Sequence, residues 1–389
     1  MPGFELIGKE ERDALNAIFD DSNGVLFAHG FVGLRNGHYR VREFEAAFAA
    51  KLGIAHAQAV SSGTVSQVVA MLALGVHQGD EVVTQSFTFV ATVEAILAIG
   101  AVPVIVDIDD TYNMSAKALE KAITPKTKLI VPVHMLGNPA DMESIQAIAA
   151  RHGIPILEDA CEALGAKYRG RFAGTLADAG IFSLDFAKTI TTGEGGMIVT
   201  DSPAIHKFCR EYHDHGHESN PSVPRGCDTR TMPGLNFRMT EMQAAVGLAQ
   251  LKKLDAIVDT SQRNKRALKE MLSRSDKVQF RRITDVEGEL ADTLILNFGD
   301  KRTCDAFLRK YLSAGFITKN VPDAMDWHFA GTWQHMFSGI PRYRDTWQTE
   351  WSASADLLQR SVSIPIFVKP SEDEMRVQGE AMLHILNSL

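Results

Sequence analysis

One lysine, Lys188, stands in a setting that is unusual for its side chain. It belongs to the stretch FSLDFAKTITTGEGGMIV, residues 182–199, with apolar residues on both sides and glycines at 193, 195 and 196. An ammonium group is costly to remove from water, so most lysines are exposed. Partial desolvation lowers the pKa of a lysine and makes it a nucleophile, and glycines let a bound ring approach the backbone closely. The other interpretation of the segment is a surface hairpin with an ordinary lysine.

A short polar turn follows the first apolar strand. In AVSSGTVSQVV, the order of strand, Ser61-Ser62-Gly63-Thr64 and helix puts amide donors and hydroxyl groups at the start of a helix. These donors and the positive end of the helix dipole favour a phosphate. An ordinary helix cap is the alternative, since Ser and Thr are common caps. The turn matches neither GxxxxGK[ST] nor GxGxxG, so it gives no support to nucleotide hydrolysis.

An acidic residue, Asp159, ends the apolar strand IPILED. Open α/β sheets place ligand contacts at this end of their strands. A carboxylate in such a poorly solvated place needs a cationic partner to stay ionised, and a protonated pyridine nitrogen would serve. A helix cap or a surface acid is the alternative. Cys161 is interpreted as a packing residue, because acidic neighbours raise the pKa of its thiol.

Two phenylalanines, Phe87 and Phe89, alternate with small polar residues in QSFTFVAT. One of them could stack on an aromatic ligand, although strand-end aromatics more often belong to a core. The stronger indication is the joint occurrence of the phosphate turn, the strand-end Asp159 and Lys188 among glycines. A cofactor that carries a phosphate, a pyridinium and an aldehyde would use all three.

The elements that must position these residues alternate between strand and helix up to about residue 240. Apolar runs such as DEVVTQ, VPVIVDID, KLIVPV, IPILED, AGIFSLD and GGMIVTD are separated by helical patterns such as GTVSQVVAMLALGV and DMESIQAIAARHG. Strands that are apolar on both faces, with helices between them, predict an α/β fold with a mostly parallel sheet covered on both sides.

The pattern changes beyond that point. TEMQAAVGLAQLKKLDAIVDTSQRNKRALKEML indicates one long amphipathic helix, and its heptads are not sustained enough for a coiled coil. The strands DTLILNF and SVSIPIF and the helices CDAFLRKYLSAG and EDEMRVQGEAMLHIL follow it. We therefore predict a large domain over residues 1–250 and a smaller C-terminal α+β domain over residues 251–389.

Composition narrows the classes of protein to which the chain can belong. The chain has 389 residues, 45% of them hydrophobic and 23% charged, and a formal net charge of −8. An acidic balance argues against a nucleic-acid binder, and no apolar run approaches the length of a membrane span. The four cysteines are scattered without a CxxC pair, which indicates neither a disulfide framework nor a zinc ribbon. We expect a cytoplasmic protein.

Many motifs in order along nearly the whole chain resemble one family. They are NGHYRVREFEAAFAAKLG, AVSSGT, GDEVVTQSFTFVATVEAILAIGAVPVIVDID, ITPKTKLIVPVHMLGNPADM, ILEDACEALGAKYRGRFAGTLADAGIFSL, KTITTGEGGMIVT and GLNFRMTEMQAAVGLAQLKKL. The chain resembles the DegT/DnrJ/EryC1/StrS sugar aminotransferases, which use pyridoxal 5'-phosphate and have the aspartate-aminotransferase fold, fold type I. The resemblance implies that residues 1–250 bind the cofactor.

The resemblance also implies roles for single residues. Lys188 matches the lysine that binds the cofactor covalently and then moves protons at the substrate carbon, and Asp159 matches the acid paired with the pyridine nitrogen. The phosphate is assigned to Gly63, Thr64 and Ser183. Three further matches complete the set: Asn236 reaches the phosphate from the neighbouring subunit of a homodimer, Phe89 stacks on the ring, and Glu162 stands where many members have a glutamine near the ring hydroxyl.

The residue at position 188 also bears on the reaction. A 3-dehydratase branch of the same family has histidine in place of the lysine, so Lys188 favours transamination. A non-catalytic regulatory member is the third possibility, and the intact Lys188, Asp159 and phosphate positions argue against it. The expected reaction transfers an amino group, with glutamate as donor, to a keto or aldehyde sugar for polysaccharide or lipopolysaccharide biosynthesis.

Several histidines are candidates for contacts with the sugar substrate. EYHDHGHESNP carries His213, His215 and His217 at alternate positions, but nothing else supplies the three or four convergent ligands that zinc needs. We predict no metal site and assign His215 and His217, with His328 in NVPDAMDWHFAGTWQHM, to the substrate, with a dimer contact as the alternative for the HDHGH loop. Domain packing is the alternative for the last stretch. These segments resemble the subgroup that aminates carbon 8 of a 3-deoxy-octulosonate, with perosamine-type enzymes acting on nucleotide-linked 4-keto-6-deoxy sugars as the competitor.

Overall fold

The centre of the protein is a sheet with helices on both faces, seen in a computed structural model that describes residues 3–220, 222–223 and 227–389. Its strands are β1 (His56–Val60), β2 (Glu81–Gln85), β3 (Val102–Val106), β4 (Thr127–Val131), β5 (Leu157–Asp159), β6 (Lys167–Tyr168), β7 (Arg171–Phe172), β8 (Ala179–Ser183), β9 (Gly196–Thr200), β10 (Gln279–Phe280), β11 (Thr293–Asn297) and β12 (Ser361–Pro365).

Helices connect and cover the strands. They are α1 (Lys9–Ser22), α2 (Arg40–Leu52), α3 (Gly63–Ala73), α4 (Ala91–Ala98), α5 (Ala116–Ala122), α6 (Met142–His152), α7 (Pro203–Tyr212), α8 (Glu241–Leu251), α9 (Leu254–Leu272), α10 (Lys301–Ser313), α11 (Met325–His328), α12 (Gln334–Phe337), α13 (Ser352–Gln359) and α14 (Glu372–Asn387). Short 3-10 turns lie at Gly3–Leu6, Met135–Gly137 and Ala330–Thr332.

The central sheet has the strand order β3-β2-β4 continued by β5-β8-β9-β1, and parallel bridges of Ile130 with Ile156 and of Val133 with Asp159 join the two parts. Neighbouring strands are parallel except that β9 runs antiparallel to both β8 and β1. All strands but β9 therefore end at the same edge of the sheet. This edge brings together the residues that follow β1, β4, β5 and β8, far apart in sequence.

Burial on both faces explains why the strands appear in the sequence as continuous apolar runs. Each of β1, β2 and β3 has four buried residues after a half-buried first one, and every residue of β5, β8 and β9 is buried. Strands covered on both faces cannot alternate polar with apolar side chains. The predicted α/β architecture with a mostly parallel sheet agrees with this arrangement.

A second, smaller sheet lies in the C-terminal part. Strands β10, β11 and β12 pair in that order and antiparallel, and α9, α10 and α14 pack against them around a core that includes Phe307, Tyr311 and Leu386. The strands and helices predicted for this part are present. The boundary between residues 250 and 251 stays a prediction.

The long helix predicted after residue 240 is in fact two helices. α8 ends at Leu251 and α9 begins at Leu254, with Lys252 and Lys253 between them. α8 packs against α1 and α2, whereas α9 packs against α14, so the two halves bury against different neighbours. At the break, the ammonium of Lys253 donates to the Leu6 carbonyl and to the Glu11 carboxylate. The amphipathic pattern runs through the break because both helices have a buried face.

The aromatic segment from α11 to α13 packs on the central sheet. Trp333, Phe337, Tyr343 and Trp351 are buried in one cluster with Phe87 and residues of the β3 edge. Backbone hydrogen bonds run from Thr88 to the His328 carbonyl and from Val90 to the Trp327 carbonyl. Although it follows β11, this segment therefore belongs structurally beside the end of β2.

In the part of the chain that the structure describes, no helix combines the length and apolar character needed to cross a membrane.

Candidate active site

A cavity of about 340 Å³ opens at the edge of the sheet where most of the central strands end. It is lined by residues that follow β1, β2, β4, β5 and β8 and by the start of α3 and α4. Its lining residues are Ser62, Gly63, Thr64, Gln67, Thr88, Phe89, Ala91, Thr92, Val133, Met135, Asp159, Cys161, Glu162, Ser183, Asp185, Phe186, Lys188, Gly193 and Glu194.

The turn before α3 forms one wall of this cavity. Ser62 is the helix cap, and its Oγ accepts from the Val65 amide at 3.2 Å. The first helical hydrogen bond is donated by the Ser66 amide, 3.0 Å from the Ser62 carbonyl oxygen. The amides of Gly63 and Thr64 precede it and are therefore the helix donors left for an anion.

The approach of β8 to this turn requires glycine. A Cβ on Gly63 would lie 2.7 Å from the Cβ of Ser183, so no other side chain fits without displacing the backbone. The close contact brings the Ser183 hydroxyl next to the first turn of α3. Amides at a helix N-terminus with a hydroxyl beside them form a donor set suited to a phosphate.

Asp159 lies at the end of β5 and is buried. Its Oδ2 accepts from Gln67 Nε2 at 3.0 Å and from Thr92 Oγ1 at 2.9 Å, and its Oδ1 accepts from the Cys161 amide at 3.1 Å. Burial raises the pKa of Asp159, and these donors and the nearby Lys188 offset only part of that effect. A cationic ligand group beside the carboxylate would favour its ionised form.

Lys188 is also buried, with 8% of its surface exposed. Its Nζ lies 3.9 Å from Oε1 of Glu162. Burial acts to lower the pKa of Lys188, but the negative groups around it, Glu162 first and then Asp185, outweigh burial and raise that pKa. The sequence-based expectation of a lowered lysine pKa is therefore wrong for the protein without ligand, because desolvation is opposed by several acidic neighbours.

Glu162 links several parts of the site. Its Oε2 accepts from the Leu136 amide at 3.2 Å, and its Oε1 lies 3.8 Å from Nε2 of His328 and 3.5 Å from Nδ2 of Asn320. Burial acts to raise the pKa of Glu162, but Lys188 and then His328 outweigh it, and the pKa is lowered. Glu162 is thus an ionised acceptor, whereas a glutamine at this position would also carry a donor.

An aromatic group lies at the mouth of the cavity. The Phe89 ring is 40% exposed, lies 5.3 Å from the His328 ring and stacks at 6.2 Å on Trp327. His328 donates from Nδ1 to the Ala324 carbonyl at 2.8 Å, which turns Nε2 toward Glu162. Burial lowers the pKa of His328, so Nε2 is available as an acceptor.

The structure brings most of the residues proposed from the sequence into this one cavity. Gly63, Thr64, Phe89, Asp159, Glu162, Ser183 and Lys188 line it, and His328 contacts two of them. Asn236, His215 and His217 do not line it. Asn236 is exposed and its backbone pairs with Asp214, as fits a residue that would act in a neighbouring subunit.

The histidines of the HDHGH segment point to separate places. His217 is buried and its Nδ1 lies 2.9 Å from Oδ1 of Asp228, whereas His215 is exposed with φ of 58°. His213 Nε2 lies 3.3 Å from Gln58 Nε2 in a different pocket. Over the described ranges, no three His, Cys, Asp or Glu side chains are grouped to hold a metal ion.

Sequence reasoning assigned no role to several lining residues, among them Gln67, Thr92 and Phe186. Gln67 and Thr92 donate to Asp159, and Phe186 lies at the rim, where its ring stacks on Phe4 at 5.4 Å. One signal was present for Gln67: it is a polar residue on the inner face of an otherwise apolar helix that starts at the phosphate turn. Thr92 and Phe186 carried no comparable signal.

The residues fit pyridoxal 5'-phosphate on the chemistry of the donor set. Amides and hydroxyl groups at the start of α3, a buried carboxylate with three donors and a buried amine line the same cavity. Because Gly63 has no side chain, Ser183 can lie next to the start of α3. Phe89 exposes a ring face at the mouth of the cavity.

Comparisons with known proteins bear on this site. The model of the DegT/DnrJ/EryC1/StrS aminotransferase family matches residues 32–382. The GDP-perosamine synthase of Caulobacter vibrioides is 44% identical over 214 residues, which are 55% of this chain and 56% of that protein. The chain thus spans little more than half the length of that curated relative.

Solved structures match over the full length. A 3-amino-5-hydroxybenzoic acid synthase is 27% identical with a TM-score of 0.83, covering 100% of this chain and 99% of its own. An aminotransferase from Psychrobacter cryohalolentis is 25% identical with a TM-score of 0.85, covering 98% of each chain. These matches confirm the predicted fold type I architecture.

Proposed function

Because the chain belongs to the DegT/DnrJ/EryC1/StrS aminotransferase family, we propose that it uses pyridoxal 5'-phosphate to transfer an amino group to a carbonyl carbon of a sugar. The observation that carries the proposal is the convergence of three features in one cavity. These are the buried amine of Lys188, the buried carboxylate of Asp159 and the first turn of α3.

The chain supplies binding, orientation and proton transfer. When bound, pyridoxal phosphate supplies an aldehyde that exchanges amino groups and a ring that accepts electrons from the reacting carbon. Lys188 Nζ would hold the aldehyde end and would carry protons to and from the reacting carbon. Asp159 would stabilise a positive charge on the ring nitrogen, and Gln67 and Thr92 fix the orientation of its carboxylate. Gly63, Thr64 and Ser183 would hold the phosphate, and Phe89 would offer its ring face to the cofactor.

The proposal favours amination over dehydration. A nitrogen nucleophile that is buried, aliphatic and next to Asp159 suits the exchange of amino groups, and position 188 carries it. The histidine of the dehydratase branch is absent at that position. A purely regulatory protein would need neither the buried lysine nor the buried acid, since removing charged groups from water costs free energy.

A homodimer is part of the proposal. An exposed apolar surface is formed by two neighbouring segments; its residues are Phe31 (58% exposed), Val32 (74%), Leu34 (53%), Leu235 (49%) and Met242 (39%). The segments join where the Glu241 amide donates to the Leu26 carbonyl and the Glu241 carboxylate pairs with Arg35. Asn236 lies within this surface, so pairing through it could deliver Asn236 to the other chain's phosphate site.

The acceptor is proposed as a keto or aldehyde sugar and the donor as glutamate. By analogy with the GDP-perosamine synthase, a GDP-linked 4-keto-6-deoxy sugar is the first acceptor to test. The second is a 3-deoxy-octulosonate oxidised at carbon 8. Glu162, which lines the cavity, and the neighbouring His328 offer acceptors for sugar hydroxyl groups. The proposed compartment is the cytoplasm, where the four free cysteines would stay reduced.

The test is a two-step reaction followed by absorption and mass spectrometry. Protein reconstituted with pyridoxal phosphate is mixed with glutamate, and the visible band is expected to convert to the near-ultraviolet band of the aminated cofactor. Addition of an acceptor is expected to restore the visible band and to yield an amino sugar. If glutamate leaves the spectrum unchanged and neither acceptor is aminated, the proposed function is wrong. Lys188→Ala serves as the inactive control.

A further inference from the structure

The turn Met135–Gly137, which follows β4 and lines the cavity, has an unusual backbone. Leu136 adopts φ of 50° and ψ of 46°, in the left-handed region that favours glycine. A side chain there costs about 1 kcal/mol, so the surroundings must hold the conformation.

A buried arginine from the C-terminal part holds this turn. Arg281 follows β10 and is 4% exposed. Its Nη1 donates to the Met135 carbonyl at 3.1 Å, and its Nη2 donates to the Leu136 carbonyl. Asn113 Oδ1 accepts from the Met135 amide at 2.9 Å on the other side. The planar fork of a guanidinium holds two N–H donors in a fixed geometry that matches two successive carbonyl groups, whereas an ammonium is a point charge without that fixed geometry.

The Met135–Gly137 turn, which Arg281 holds in place, orients Glu162. The left-handed backbone directs the Leu136 amide to Oε2 of Glu162, and the Gly137 amide donates to the Glu162 carbonyl at 3.0 Å. Because one carboxylate oxygen is fixed by the Leu136 amide, the other is the one that faces Lys188 and His328.

We propose that Arg281 is a positioning residue, which fixes the Met135–Gly137 turn so that Glu162 presents Oε1 to Lys188 Nζ. The inference rests on the proposed function, in which Lys188 carries the cofactor and Glu162 lies beside it. It adds that a residue outside the cavity, in the C-terminal part of the chain, sets the electrostatic environment of the reacting amine.

Several charged groups act on Glu162 from the elements around it. Lys188 comes from the loop after β8 and His328 from α11, while Lys319 and Asp292 come from the C-terminal part. Arg281 itself is part of this buried group of charges. A test must therefore keep the charge at position 281 and remove only the fork.

The experiment compares Arg281→Lys, Glu162→Gln and the double variant. Each is reconstituted with pyridoxal phosphate, and the pH midpoint of the cofactor's absorption change is measured. Loss of the carboxylate in Glu162→Gln is expected to lower the midpoint by about one pH unit, because a nearby negative charge favours the protonated nitrogen. Arg281→Lys is expected to lower it by about half a unit, since Glu162 is no longer directed at Lys188.

The double variant decides between positioning and a general structural effect. If Arg281 acts through Glu162, Arg281→Lys adds no further shift in the Glu162→Gln background. An equal shift in both backgrounds, or no shift in either, overturns the inference. The matched control is Arg282→Lys, because the neighbouring Arg282 is exposed and pairs with Asp110 on the surface. This control is expected to leave the midpoint unchanged.

A second measurement needs no cofactor and separates this inference from the proposed function. Hydrogen exchange of the Leu136 and Gly137 amides is compared in cofactor-free wild type and Arg281→Lys. We expect at least about tenfold faster exchange in the variant, since the turn can then open without breaking the two hydrogen bonds from the Arg281 guanidinium. Equal exchange overturns the inference even if the enzyme proves to be an aminotransferase. If wild type binds no cofactor at Lys188, the proposed function fails while this result still stands.

Discussion

Two lysines of this protein are buried to the same degree and face carboxylates in different ways. Lys188, in the cavity, is 8% exposed, and its Nζ lies 3.9 Å from the Glu162 carboxylate, beyond hydrogen-bond distance. Lys319, in the C-terminal part, is 9% exposed and donates to Asp292 Oδ2 at 2.8 Å and to Thr293 Oγ1 at 2.7 Å.

The difference separates a group kept for chemistry from a group kept for structure. The Lys319 ammonium exchanges water for two close acceptors, so its burial is largely compensated. The Lys188 ammonium lies close enough to the Glu162 carboxylate for electrostatic attraction but too far from it for a hydrogen bond. Its charge is balanced through space by Glu162 and Asp185, and the space beside Nζ remains open to a ligand. We expect substitutions at the two lysines and at other buried charged groups to separate chemical roles from structural ones.

Removal of the cavity lysine is expected to abolish activity without loss of stability. Lys188→Ala should lower turnover by at least about 10³-fold, because it removes the nucleophile and the proton carrier together. The free energy of unfolding should change by no more than about 1 kcal/mol, since Glu162 keeps the Leu136 amide and the nearby Lys319 charge when Lys188 is removed. Steady-state kinetics and urea denaturation measure the two quantities. A loss of several kcal/mol would show that Lys188 is structural.

Loss of the cavity acid tests which groups near Lys188 take part in the chemistry. Asp159→Asn removes the charge proposed to hold the ring nitrogen protonated and is expected to reduce turnover by about 10²-fold or more. Phe89→Leu removes only a stacking face, worth about 1 kcal/mol or tenfold at most. Comparable losses in the two variants would contradict the assigned roles.

The structural lysine is expected to behave in the opposite way to Lys188. Lys319→Ala should lower the free energy of unfolding by about 3 kcal/mol, because it leaves Asp292 buried without its cation. The folded fraction should still bind the cofactor at Lys188. Combining it with Asp292→Asn should restore part of the stability in urea denaturation. If the double variant is as unstable as the sum of both changes, the pair is not the source of the effect.

A half-buried acid that accepts hydrogen bonds from amides, Glu45, gives the smallest effect. Burial raises the pKa of Glu45 to about 7 from an ordinary value of 4.5, although the Ala59 amide donates to its Oε1 at 2.9 Å. The folded state thus binds the proton more tightly than the unfolded state. The cost of Glu45 is absent below pH 4.5, grows as the pH rises, and is complete above about 7.

Glu45→Gln keeps the acceptor oxygen and removes the charge. It is expected to raise the free energy of unfolding at pH 8 by about 1 kcal/mol, with allowance for partial exposure, and to have little effect at pH 4.5. Thermal or urea unfolding across this range measures the difference. The exposed Glu270→Gln is the control and should show no such pH dependence. A gain that does not vary with pH would rule out the burial explanation.

Local patterns were enough to predict the framework of the site. Apolar runs and helix periodicity predict the strands that end at the cavity, and the rule on strand ends predicts that Asp159 and the turn at Gly63 share one edge. Lys188 could be placed there because its segment joins two strands of the same sheet. Each of these inferences uses only neighbours along the chain and one topological rule.

Contacts between distant segments were beyond such patterns. Nothing near Arg281 in the sequence indicates that its side chain reaches the Met135–Gly137 turn, and the direction of the Lys188 pKa depends on acids from other segments. The break at Lys252 was hidden because α8 and α9 are both amphipathic while they pack on different neighbours. These features depend on charges and packing contacts from segments that are distant in the sequence, so a local pattern does not reveal them.

The role of Lys188 is tested most directly by reducing the reconstituted protein with borohydride and mapping the modified peptide by mass spectrometry. We expect a single phosphopyridoxyl group on the Nζ of Lys188, with Lys319 unmodified although it is buried to a similar degree. A label on another lysine, or no label after incubation with pyridoxal phosphate, would contradict the assignment of Lys188 as the reacting amine.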